Sequence, residues 1–320
     1  MITVLGAGVA GLCAATALAE RGLELRVVDS GPEGTGASWL AGGMLAPFVE
    51  GESAPAEVTR LGAGAADWWA ARVPGVQRCG TLVVAPARDR AELDRFAART
   101  TGHDRIGPDR IAALEPDLAE RFSTALFYAG EAHLNPGVAL SALADGLRSR
   151  GVKINYDTRI VPDQAEIDCR GLVARDALPG LRAVRGEMLL LRCHEVMLSR
   201  PVRLLHPRFP VYIVPRGDGL YMVGATMVET DASGPITMRS AMELMAAAFT
   251  LHPAFAEAAV EATGTGLRPA WPDNVPRLSK ASGRFHLNGL YRHGFLTAPA
   301  LAGQLAEIFA SSQQEHSLAN

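Results

Sequence analysis

The residues with the most legible chemistry stand at the start of the chain. Gly6-Ala7-Gly8-Val9-Ala10-Gly11 follows an apolar run at 2–5 and opens an alanine-rich stretch, and Asp29 lies 18 positions beyond Gly11. At this spacing the first glycine permits a tight turn. The second lets backbone N–H groups approach a pyrophosphate, and the third lets helix and strand pack closely, with the helix N-terminus facing the anion. A carboxylate at Asp29 suits a ribose diol and would repel the 2′-phosphate of NADP. The alternative is a plain glycine turn with a surface aspartate. The motif alone does not separate FAD from NAD.

The elements around it read as a βαβ unit: a strand over 2–5, a helix over 11–20 and a second strand over 25–28. A small-residue loop at 34–43 leads to a helical stretch over 56–71 carrying Trp68 and Trp69. A strand over 81–85, a charged helix over 88–100 and a turn at Glu115-Pro116 read as an insertion away from the cofactor. A helix over 137–150 and strands near 152–156 and 166–169 return to the parallel sheet. Residues 185–192 and 211–227 read as antiparallel strands, the latter folded at Gly217-Asp218-Gly219. After helices over 238–249 and 253–260, Arg268-Pro269 and Trp271-Pro272 read as a proline-rich loop, and a last helix spans 298–310.

The 320 residues suffice for a large core. A formal net charge of -3 gives no basic excess for nucleic acid, so a small partner is expected. Cys13, Cys79, Cys169 and Cys193 are scattered, and His133, His194, His206 and His293 have no metal-ligand spacing. Neither a metal site nor a disulfide framework is expected. No stretch offers the ~20 apolar residues of a membrane span, and no basic segment precedes the apolar start. A cytoplasmic protein without membrane partners is the expectation; a homo-oligomer is left open.

Four further stretches carry a resemblance. GASWLAGGMLAP from Gly36, YIVPR from Tyr212 with GATM ending at Met227, GLRP from Gly266 with DNVP from Asp273, and YRHGFLTAP from Tyr291 resemble, in this order, the glycine oxidase branch of the D-amino-acid oxidase superfamily. The resemblance runs to about residue 310 and is weakest between Arg72 and His133. It departs in two ways: the segment from Tyr156 to Glu166 is short for an accessory hairpin, and Pro210 and Leu290 stand where relatives carry histidines.

The resemblance implies an α/β fold in which a discontinuous Rossmann-like FAD-binding domain (1–75, 133–175 and 264–320) carries a second, antiparallel-sheet substrate domain (76–132 and 176–263). It implies FAD contacts at Gly6, Gly8, Val9, Ala10, Gly11, Asp29, Ser30, Ser38, Gly42, Gly43, Met44, Gly171, Arg292, Gly294, Phe295 and Leu296. The last three would bring backbone N–H groups and a helix dipole to the negative charge of reduced flavin. No cysteine is expected to lie near the flavin-contacting stretches, so the FAD is expected to be non-covalent.

For the substrate, the resemblance assigns Arg268 to the carboxylate, which a guanidinium fork binds in bidentate fashion, and Tyr212 to the same group. Arg292 is a second candidate there. Met227, placed opposite Tyr212 on one hairpin, is assigned to a wall limiting side-chain size. Trp271 either covers the site or packs. The implied activity is FAD-dependent oxidation of glycine or another small amino acid to an imine, with dioxygen giving hydrogen peroxide, in making the thiazole of thiamine. The alternatives are a D-amino-acid or sarcosine dehydrogenase or oxidase with another acceptor, and a catalytically silent dinucleotide-binding module.

Overall fold

The computed structural model describes residues 1–159, 161–206 and 210–318. The strand Ile2–Leu5 is buried between Leu25–Val28 and Ile167–Asp168, both parallel to it. Among the described residues the sheet runs, edge to edge, Arg277–Ala281, Arg284–Asn288, Ile167–Asp168, Ile2–Leu5, Leu25–Val28 and Lys153–Asn155. Only the hairpin pair Arg277–Ala281 and Arg284–Asn288 is antiparallel. This is the parallel sheet expected from the N-terminal motif, extended by a hairpin that the sequence reading passed over.

Helix Val9–Ala19 reads VAGLCAATALA and is apolar on every side. A helix of that kind must be covered all round. The last helix, Gly294–Leu318, and the helix Pro136–Ser149 pack against it. The latter begins with Asn135 as its cap, whose Oδ1 accepts from Gly137 N at 3.0 Å, and with proline in the first turn.

A second sheet runs Val228–Glu229, Arg182–Arg192, Leu220–Gly224, Val211–Gly217, Val202–Leu204, Thr81–Val84, Ala125–Tyr128 and Asp104–Ile106, with Ala259–Ala270 paired along Arg182–Arg192. The turn between Val211–Gly217 and Leu220–Gly224 uses positive φ at Gly217, Asp218 and Gly219, as the glycine-rich sequence demands. A small pair, Met44–Leu45 with Ala132–His133, ties the loop after the first βαβ unit to the chain ahead of helix Pro136–Ser149.

Four readings of the sequence need correction. The stretch 56–71 is two helices, Ala56–Gly62 and Ala65–Ala70; a Cβ on Gly62 would lie 2.5 Å from Leu296 Cγ, so the helix end is shaped to the last helix. Residues 253–260 do not form one helix: a short 3-10 turn, Pro253–Glu257, is followed by a strand. That strand, Ala259–Ala270, holds Arg268-Pro269, which read as a loop; among the described residues its far side meets no second strand but only an isolated bridge from Ala270 to Leu290, where Pro269 needs no N–H because it accepts from Tyr291 N through its carbonyl. The boundary read at 264 thus falls inside a strand of the large sheet. Finally, the last helix begins at Gly294, so Gly294, Phe295 and Leu296 form its first turn. Among the described residues no helix is long and apolar enough to cross a membrane.

Candidate active site

The N-terminal loop is held by its own glycines. Gly6, at φ 93°, donates to Val28 O at 2.8 Å, and a Cβ on Gly11 would lie 1.7 Å from Gly6 O. The carboxylate of Asp29 accepts from Ala7 N at 2.6 Å and from Gly31 N at 2.8 Å, and Ser38 Oγ accepts from Val9 N at 3.1 Å. Two acceptors therefore brace the loop ahead of the helix, whose first-turn N–H groups face a cavity and have no partners within the helix.

That cavity, of about 1090 Å³, is continuous from the Gly6–Gly8 turn to Arg268. It brings together Gly6, Gly8, Val9, Ala10, Asp29, Ser30, Ser38, Gly42, Gly43, Met44 and Gly171 with Arg292, Gly294, Phe295 and Leu296, and with Arg268, Tyr212 and Met227. Gly11 is the exception among the expected cofactor residues: it packs behind the turn and does not face the cavity. The middle loop is held by Arg216, which donates to Ala41 O and Gly42 O at 3.0 and 2.9 Å and to Leu134 O at 3.0 Å. Burial pushes this guanidinium down to about 10. Sequence reasoning missed it, although it stands inside the YIVPR stretch.

At the far end of the cavity stands a carboxylate that the sequence reading also missed. Glu50 is buried on the short helix Pro47–Glu50. Its Oε1 accepts the Tyr212 hydroxyl at 2.8 Å, its Oε2 lies 2.8 Å from Arg292 Nη2, and Arg203 Nη1 is 3.6 Å from Oε1. Arg203 also donates to the Tyr212 oxygen at 3.0 Å. Burial would push the Glu50 carboxyl up, but Arg292, His293, Arg203 and the Tyr212 hydrogen bond outweigh it and hold it at about 2. His293, for which the sequence offered no role, is buried with Nδ1 3.4 Å from Glu50 Oε2, and burial lowers it to about 4. Glu50 is therefore the carboxylate shared by two guanidiniums, and Arg203 reaches a second one, Glu52, at 3.8 Å.

Arg268 adds a third guanidinium and differs from the other two. Nη1 donates to Thr226 O at 3.0 Å, and among the described residues no carboxylate lies within ion-pair distance of it. It lies flat across Gly186 of the neighbouring strand, where a Cβ would come within 2.1 Å of Nη2. Burial pushes this group down to about 10. A buried guanidinium without a carboxylate is costly unless an anion arrives to pair with it.

Met227 is not opposite Tyr212, contrary to expectation. The partner of Tyr212 is Gly224, and Met227 lies beyond that strand, partly exposed, with Tyr291 Oη 3.3 Å and Arg292 Nη1 3.4 Å from its Sδ. Trp271 does not line the cavity. Its ring fills the space left by Gly289, where a Cβ would lie 2.0 Å from it, and packs with Leu178 and Leu181. Cys169, expected to be remote, lines the cavity next to the Gly6 turn; it is buried, and burial with the Asp168 charge raises its thiol far above the ordinary range.

An FAD fits what these residues offer. The anion-facing turn needs glycine at Gly6 and Gly11, the acid at Asp29 stands beside it, and the cavity exceeds the ~300–1,000 Å³ of ordinary ligand sites, as a large dinucleotide with a small substrate requires. Comparison with known proteins agrees. A Rhizobium etli protein given the name thiamine biosynthesis oxidoreductase ThiO is 54% identical over 317 residues, covering 98% of this chain and 97% of its own. The glycine oxidase of Pseudomonas aeruginosa is 28% identical, covering 98% and 95%. The crystal structure of glycine oxidase from Geobacillus kaustophilus shares the fold, with a TM-score of 0.81 at 22% identity over 97% of this chain and 94% of that one. The FAD dependent oxidoreductase model matches residues 1–308, and the chain belongs to that family of FAD enzymes.

Proposed function

We propose that this enzyme oxidises glycine, or an amino acid nearly as small, to its imine, passing the electrons to dioxygen with release of hydrogen peroxide, and that the imine serves thiazole formation in thiamine biosynthesis. The observation that carries the reading is Arg268: a buried guanidinium in the cavity, without a carboxylate of its own. The names of the relatives support the substrate and the pathway.

A bound FAD would supply the two-electron redox chemistry that the oxidation of the substrate α-carbon requires. The chain supplies placement. Arg268 takes the substrate carboxylate, and Arg292, fixed by Glu50, supports it from the side of Gly294. Tyr212 is engaged by Glu50 and Arg203, so it acts by holding that carboxylate rather than as a free donor. Met188, Met222 and Leu40 form an apolar wall that keeps water from the reacting carbon. Residues 1–75 and 133–175 with the last helix would hold the cofactor, and the large sheet, antiparallel except where Val202–Leu204 meets Thr81–Val84, the substrate. The FAD is non-covalent in this reading, because Cys169 is a buried, protonated thiol, and four free cysteines suit the cytoplasm.

Steady-state turnover of glycine, sarcosine, D-alanine and D-valine with peroxide detection tests the proposal. Glycine is expected to give the highest kcat/KM and one peroxide per imine. Preference for D-valine would overturn the substrate, and turnover with an artificial acceptor but no peroxide would overturn the oxidase.

A further inference from the structure

Met227 places an oxidisable sulfur at the mouth of the site. It is 46% exposed and lines the cavity. Two donors converge on its Sδ: the Tyr291 hydroxyl at 3.3 Å and Arg292 Nη1 at 3.4 Å. Neither is loosely held. Tyr291 takes a positive φ of 49°, unusual outside glycine, with its N–H donated to Pro269 O at 2.8 Å beside Arg268. Arg292 is fixed through Nη2 by Glu50 and by Ser53 Oγ at 3.0 Å. The thioether is thus the hub between a phenol and a guanidinium at the substrate end of the cavity.

A thioether accepts hydrogen bonds weakly, whereas a sulfoxide oxygen accepts them strongly and turns an apolar side chain polar. We propose that Met227 is a self-oxidation site, at which hydrogen peroxide formed in the cavity converts its Sδ to the sulfoxide and weakens binding of the amino acid. The proposal rests on the oxidase reading for its oxidant. In the step, the sulfur lone pair attacks one peroxide oxygen and an S–O bond forms as the O–O bond breaks. The departing hydroxide takes the proton of the transferred oxygen and leaves as water. Sulfur is oxidised by two electrons and peroxide is reduced by two. Tyr291 and Arg292 are placed to donate to the oxygen that arrives on sulfur.

Among the other sulfurs of the cavity, Met44 is partly buried in the loop held by Arg216, Cys169 is buried behind the Gly6 turn, and two methionines are buried more deeply. Met188 and Met222 are 6% and 3% exposed and packed with Val214. Outside the cavity, Met197 and Met238 are more exposed than Met227, at 75% and 79%, and report on peroxide in bulk solution. Once formed, the sulfoxide draws on Arg292, the same guanidinium that supports the substrate carboxylate. Loss of that ground-state contact raises KM with little effect on kcat. The enzyme would then slow its own peroxide output until the sulfoxide is reduced.

The holoenzyme is turned over with glycine in air, with catalase in excess to clear bulk peroxide, and methionine oxidation is followed by peptide mass spectrometry. Met227 is expected to oxidise ahead of Met197 and Met238, with KM for glycine rising about fivefold, the worth of one hydrogen bond, and with methionine sulfoxide reductase and a thiol restoring it. In a second arm, peroxide added to resting holoenzyme without catalase oxidises all three and gives the same rise. In Met227→Leu, KM does not move under either treatment, whatever its starting value. Met227 unmodified after turnover with a measured peroxide yield overturns the proposal, as does full oxidation of Met227 with KM unchanged. Turnover without peroxide removes the oxidase reading and with it the oxidant, while the added-peroxide arm separately decides whether the sulfoxide alters KM.

Discussion

The hydroxyl of Tyr212 donates to Glu50 Oε1 at 2.8 Å across 162 residues of chain. This contact fixes a buried carboxylate between Arg203 and Arg292. Glu50→Gln leaves both guanidiniums without their shared charge. A fall in kcat/KM for glycine of about 10- to 100-fold is expected, corresponding to about 1.5–3 kcal/mol, with FAD still bound. Steady-state kinetics with flavin quantification checks this. Unchanged efficiency at full flavin content would remove Glu50 from the site.

Arg268 can be tested without touching it. Gly186→Ala puts a Cβ where the guanidinium lies, so it should displace Arg268 and reproduce much of the loss seen in Arg268→Ala. Both variants are expected to lose at least about tenfold in kcat/KM on glycine, and less on an amine lacking a carboxylate. Equal losses on both substrates would show that Arg268 does not read the carboxylate.

Glu131 gives the stability a pH dependence. It is buried and accepts from Val49 N at 2.8 Å and Phe48 N at 3.1 Å, which steadies the short helix carrying Glu50. Burial raises its carboxyl from 4.5 to about 8. Between those two values the folded state holds a proton that the unfolded state has lost, so stability falls as pH rises through the window. Buried His293 and His133, both lowered to about 4, give an opposing rise in stability up to about pH 6.5 in parent and variant alike, so in thermal denaturation the Tm of the parent should fall by a few degrees relative to that of Glu131→Gln from pH 5.5 to 8. Parallel slopes for parent and variant would contradict the assignment.

Gly11→Ala tests the cofactor loop from behind. Its Cβ would strike Gly6 O at 1.7 Å, so the turn must open and the pyrophosphate site is lost. The purified variant should carry under about a tenth of the parental flavin, read from absorbance. Full retention would place the dinucleotide elsewhere.

The parts legible in the sequence were those whose cause is local. The Gly6–Gly11 turn, its flanking strand and helix, and Asp29 all lie within thirty residues, and each constrains the next. Strand Ala259–Ala270 was illegible because residues to 260 read as a helix and Arg268-Pro269 as a loop; the proline is tolerable because no second strand pairs along its outer side among the described residues. Glu50 and His293 carried no local signal either. Their meaning comes from partners at Arg203, Tyr212 and Arg292, which only the packing of the sheets against the last helix brings together. Met227 was displaced from its expected place because the strand ends at Gly224, three residues earlier.

Anaerobic mixing of glycine with the purified protein decides whether glycine reduces an FAD held in this cavity. Glycine should bleach the flavin absorbance and D-valine far more slowly, and admitting air should restore the oxidised spectrum with one hydrogen peroxide per flavin. A flavin that stays oxidised at saturating glycine would contradict it.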